Sequence, residues 1–103
     1  MYGNQQMVRT SEVQELRREA GRLLRDMRER AGLSQRELAD RVGLEYYTFV
    51  SQLETGRGRI PPDRYRLWAA ALGVEPRVFV RTLLPFYDPV THEILFGADE
   101  SED

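Results

Sequence analysis

Thr48, Ser51, Gln52 and Thr55 fall at helical spacing, so that on a helix their hydroxyls and side-chain amide share one face. Such groups donate and accept hydrogen bonds, and a glutamine amide does both at once. All 15 basic residues are arginines, lying between Arg9 and Arg81, and guanidinium forks suit carboxylate and phosphate oxygens. His92 is the only histidine and cysteine is absent, so the chain offers neither a thiolate metal site nor a disulfide framework. No Ser-His-Asp set or carboxylate pair stands out, and Gly56-x-Gly58 lacks the preceding strand that a nucleotide loop requires. These residue types point to recognition rather than catalysis, with no metal and no cofactor.

Two short helices and a glycine turn hold that polar face. Ser34 and Glu37 form a capping box, each side chain satisfying a free amide at the other's position, so the first helix starts at Gln35. Leu38 and Val42 make its inner stripe, and Ala39 is small enough for a second helix to cross closely. Gly43 supplies the positive φ that ends a helix at little cost. Tyr46, Phe49 or Val50, and Leu53 then recur at helical spacing up to Gly56, which predicts a second helix over about 46–55.

The ordered set Gly32-Leu33-Ser34-Gln35-x-Glu37-Leu38-Ala39-x-x-Val42-Gly43-Leu44, followed by Val50-Ser51-x-Leu53-Glu54-x-Gly56, resembles the Cro and phage-repressor (XRE) type of helix-turn-helix family. The likeness covers about residues 22–80. It implies an all-α, five-helix repressor-like domain binding double-stranded DNA, with the second helix of the pair in the major groove and the first across the backbone. Carried onto this chain, it implies that Tyr46, Tyr47, Thr48, Ser51 and Gln52 contact bases. Gln52 can pair with adenine through two bonds, Thr48 can bond a base edge or touch a thymine methyl, and a tyrosine hydroxyl can reach a phosphate. Phosphate contacts fall to Gln35, Arg36, Arg57 and Arg59. The plainer readings are a helix former beside a cap for Gln35 and solvated charges for the arginines. Tyr46 suits the core as well as a contact, and Phe49 is expected to be buried. The stretch from Gly43 to Gly56 is one residue longer than the family's usual spacing. Glu45 stands where the second helix usually has a Ser or Thr cap, with its charge suited to the positive helix end. The start of the recognition helix is therefore open by about one position.

A chain of 103 residues with 41% hydrophobic residues fits one small domain with tails. Ser11 and Gln14 pair ahead of Val13, Leu16, Ala20, Leu23, Leu24, Met27 and Ala31, predicting a first helix over about 12–31, longer than the family's usual one. The charged residues between them, Arg22 and Arg28 included, read as a solvated face. Residues 1–10 are then a flexible N-terminus and 11–84 the DNA-binding domain. The segment Arg57-Gly58-Arg59-Ile60-Pro61-Pro62 is a loop. A fourth helix from about residue 62 to Leu72 turns Tyr65, Trp68, Ala71 and Leu72 inward, and a fifth starts near Pro76 and stops before Pro85. Residues 85–97 form a short apolar C-terminal extension. Asp88-Pro89 suits a helix start there, while Val90, His92, Ile94 and Phe96 alternate as in a strand. Residues 98–103 read as a disordered acidic tail.

The net charge of −2 alone argues against a nucleic-acid partner. Its distribution reverses that, because six of the 17 acids follow residue 87, leaving residues 1–87 with a net charge of +4. Neither a signal core nor an apolar stretch of membrane-spanning length is present, so the cytoplasm is the expected location and no membrane contact is expected. Because one recognition helix reads only a few base pairs, a homodimer over two half-sites is expected. Phe86, Tyr87, Ile94, Leu95 and Phe96 are the candidate dimerisation residues, the alternative being that they fold back onto their own domain. The leading function is a transcriptional repressor. The alternatives are an autoregulating antitoxin whose extension binds a protein partner, and a protein interaction module docking through Tyr46, Tyr47 and Phe49.

Overall fold

The computed structural model describes residues 2–97, with side chains from Ser11 onward. Met1 and the acidic tail at 98–103 lie outside the described residues. The described chain is all-helical: α1 (Tyr2–Arg30), α2 (Gln35–Arg41), α3 (Thr48–Glu54), a 3₁₀ turn at Pro62–Arg64 leading into α4 (Tyr65–Leu72), α5 (Pro76–Tyr87), α6 (Pro89–His92) and a closing π turn at Glu93–Gly97.

Helix α1 differs from expectation at its start. It begins at Tyr2, so Tyr2–Thr10 is helical rather than irregular, and Ser11 lies inside the helix instead of capping it. Ala20 and Leu24 are fully buried on its inner face, with Leu23 and Met27 packed against the core, while Val13 stays exposed. On the outer face, Glu15–Arg18, Glu19–Arg22 and Arg25–Glu29 pair one helical turn apart.

The core is built where α1 meets α3 and α5 and where α4 lies against α2 and α5. Its largest fully buried side chains are Phe79, Leu24, Leu38, Leu53, Ile60, Leu83 and Val50. Two glycines set the approach of α1 to α3. A Cβ on Gly21 would lie 2.3 Å from the Glu54 carbonyl oxygen, and Gly56, at φ +86°, sits against the Arg18 backbone, where a Cβ would come within 2.8 Å of its nitrogen. Only a residue without a side chain allows this crossing.

Helix α5 runs through Pro85 to Tyr87, correcting the expected stop. An internal proline removes one ladder bond and crowds the preceding turn, but Leu83, Leu84 and Tyr87 are all buried, and their burial outweighs that local cost. The extension follows the helical alternative. Asp88 caps α6 by accepting from the Thr91 amide (3.2 Å) and hydroxyl (2.6 Å), and Pro89 takes the first helical position.

Candidate nucleic-acid interface

The capping box on α2 is complete: the Ser34 Oγ accepts from the Glu37 amide at 3.0 Å, and Glu37 accepts from the Ser34 amide at 2.8 Å. These bonds hold the Glu37 carboxyl below the usual range. Leu38, Ala39 and Val42 are buried, and Gly43 reverses the chain at φ +73°.

Residues 44–47 lie outside any helix. Helix α3 begins at Thr48, later than expected, with Tyr47 as its N-cap making no side-chain bond. Tyr46 therefore precedes the helix, 68% exposed, and does not belong to the inner stripe. Val50 and Leu53 fill that stripe. Phe49 is corrected from buried to 41% exposed, because starting the helix at Thr48 leaves Val50 as the inward residue. Thr48 and Gln52 are exposed, Ser51 is half-buried, and the Thr55 hydroxyl turns back to the Ser51 and Gln52 carbonyls.

The residues expected at phosphates separate. Arg57 is exposed, and its amide caps α3 on the Gln52 carbonyl at 2.8 Å. Arg36 is exposed with its guanidinium 4.9 Å from the Tyr47 ring centre. Gln35 donates to Glu54 at 3.0 Å, which spends one of its two amide hydrogens. Arg59 is engaged within the fold. It donates to the Tyr87 carbonyl at 3.1 Å and the Tyr65 hydroxyl at 2.6 Å, and lies 4.7 Å from the Tyr87 ring centre. The guanidinium ties the loop after α3 to the end of α5, so those donors are turned inward.

The dimerisation set separates as well. Tyr87 is buried in this chain's own core and Phe86 packs against it. The Tyr87 hydroxyl accepts from the Ile60 amide at 3.3 Å, and burial pushes its phenol up. Phe96 is also buried, beneath the guanidiniums of Arg77 and Arg81 at 5.5 and 4.9 Å from its ring centre. Those three aromatic residues are thus occupied within the subunit, whereas Val90, Ile94 and Leu95 are 69, 73 and 58% exposed.

One pair was missed in the sequence. Arg28, grouped there with the solvated face, is buried beside Glu54 in a two-pronged ion pair, Nε to Oε2 at 2.6 Å and a terminal nitrogen to Oε1 at 3.0 Å. Its other terminal nitrogen donates to the Leu33 carbonyl at 2.8 Å. The hydrogen bonds to Glu54 raise the Arg28 pKa above its ordinary value. With Gln35 on the same carboxylate, α1, α2 and α3 are joined at one buried point. A signal was present: Arg28 lies four residues after Leu24, on the inner face of α1.

The surface so assembled is an exposed helix start with hydrogen-bonding side chains, flanked by the exposed arginines Arg36 and Arg57. Among the described residues, no helix is long and apolar enough to cross a membrane. A family model described as a helix-turn-helix domain matches residues 19–83. A search of curated proteins finds no match. Among solved structures, the chain is similar to the restriction-modification controller protein C.AhdI from Aeromonas hydrophila. The two are 34% identical over 63% of this chain and 96% of that one, with a TM-score of 0.55. With α2 and α3 set at the Gly43 turn and the polar start of α3 outward, the chain belongs to the helix-turn-helix domain family and is an XRE-type DNA-binding transcription regulator.

Proposed function

We propose that the protein is a dimeric, sequence-specific repressor that inserts α3 into the major groove and acts by occupying its site, without catalysis. The observation that carries this reading is the two-sided character of α3: Val50 and Leu53 anchor it, while Tyr46, Tyr47, Thr48 and Gln52 face outward at its beginning and along its free side. Thr48 and Gln52 read base edges, Tyr46 supplies a further base contact, Tyr47 stands against Arg36, and half-buried Ser51 sits at the margin. Arg57 and the remaining amide hydrogen of Gln35 meet phosphates, which fix register and supply salt-sensitive affinity. The likeness to a restriction-modification controller supports a regulatory role in a DNA-containing compartment such as the bacterial cytoplasm. Exposed Val90, Ile94 and Leu95 support pairing of two subunits through the extension.

The test is selection of genomic fragments by the purified full chain, followed by sequencing. The expected motif is an inverted repeat with half-sites about one turn, roughly 34 Å, apart. Gln52→Ala should relax one position in each half. An unenriched pool contradicts DNA reading, and a motif unchanged by Gln52→Ala contradicts this role for α3.

A further inference from the structure

We infer that Arg36 reads a base rather than a phosphate, presenting its guanidinium edge to a guanine in the major groove while Tyr47 positions it. This rests on the DNA-binding reading above and deepens it. Arg36 is the second residue of α2, Tyr47 occupies the position just before α3, and the guanidinium carbon lies 4.9 Å from the centre of the Tyr47 ring. The contact joins the first turn of one helix to the start of the other, beside Thr48. An arginine held against an aromatic ring keeps N–H donors available in its own plane. Its long side chain is also partly ordered before DNA arrives, which reduces the entropy lost on binding.

The surrounding charges favour a base over a phosphate. Arg36 and Tyr47 border a cleft of about 360 Å³ that Asp40, Glu45 and Tyr46 also line. Neither carboxylate makes an ion pair with Arg36 among the described residues. Two acids and one arginine give the cleft a net negative balance that repels a phosphate. A guanine edge carries no formal charge, so it meets much less of that repulsion than a phosphate does, and its O6 and N7 acceptors, side by side, match two guanidinium donors. Arg57, exposed beyond the far end of α3, has no ion pair among the described residues and is better placed in charge terms for the backbone.

The experiment selects genomic fragments with the wild-type full chain and with Arg36→Ala, Tyr47→Phe and Tyr47→Leu, then measures affinity for the wild-type site across salt concentrations. Arg36→Ala should lower the preference for one guanine in each half-site by about 5- to 150-fold, leaving the other positions intact. Tyr47→Phe keeps the ring and should retain that preference. Tyr47→Leu removes the ring and should weaken the preference at the same position, an effect that general destabilisation of α3 would not confine to one base. If Arg36→Ala instead weakens all fragments equally and lowers the salt slope by about one, Arg36 contacts a phosphate and the inference fails. A wild-type motif unaffected by Arg36→Ala overturns this inference alone, whereas no wild-type motif overturns the regulator reading with it.

Discussion

Replacing Glu54 by alanine leaves the Arg28 guanidinium buried against the Leu33 carbonyl with no carboxylate to balance it. Removing one partner of a buried pair costs about 3–5 kcal/mol, so Glu54→Ala should shift the urea unfolding midpoint strongly downward. Arg57 and Arg59, alike in sequence, should behave differently. Arg57→Ala should leave stability unchanged, weaken binding to every duplex and lower the salt slope by about one. Arg59→Ala should lose stability, because its bonds to Tyr65 and the Tyr87 carbonyl go with it, and should leave the salt slope unchanged. A matched loss of salt slope for both arginines would contradict the inward role of Arg59. At this scale the sequence showed which side chains can bond but not where they turn. Arg59 sits in a loop whose partner is 28 residues away, a separation that local spacing does not encode.

Helix contacts depend on close backbone approach as well as on side chains. Gly21→Ala should destabilise the fold by about 1–3 kcal/mol or more, since its Cβ meets the backbone of Glu54 rather than a movable side chain. Acid and alkali should act on different elements. Hydrogen bonds hold the Glu37 and Asp88 carboxyls below their ordinary values, so these caps contribute stability above the usual carboxylate range. That contribution is lost as pH falls through the lowered values, below roughly pH 4. Tyr87 has the opposite sign. Its raised value means its contribution is full below roughly pH 10 and is lost as pH rises further. Denaturant midpoints measured against pH should show both limbs, and Tyr87→Phe should diminish the alkaline one. The α2 cap and the Gly43 turn were legible because Ser34, Glu37 and Gly43 act through neighbours in sequence. The exit of α5 was not, because Pro85 argues locally for a stop while the burial of Leu84 and Tyr87 is decided by the rest of the core. The extension had equal claims to strand and helix until the Asp88 cap and the burial of Phe96 selected the helical form.

For the molecule as a whole, the acidic total conceals a basic body, with a net charge of +4 over residues 1–87. The same distribution leaves the exposed Val90, Ile94 and Leu95 patch on the chain's less basic end, apart from the α3 surface in sequence. A double Ile94→Ser, Leu95→Ser variant should retain the unfolding midpoint at low concentration, because neither side chain is buried within the subunit. It should sediment as a monomer where the wild type sediments as a dimer, and an unchanged dimer would assign pairing to another face. The proposed reading of DNA sequence by the exposed start of α3 is tested by the affinity of the full chain for its selected site and for a scrambled duplex of equal length, across about 50–200 mM salt. At physiological salt the selected site should bind at least about a thousandfold more tightly, and both affinities should fall steeply as salt rises. Equal affinity for the two duplexes would contradict it.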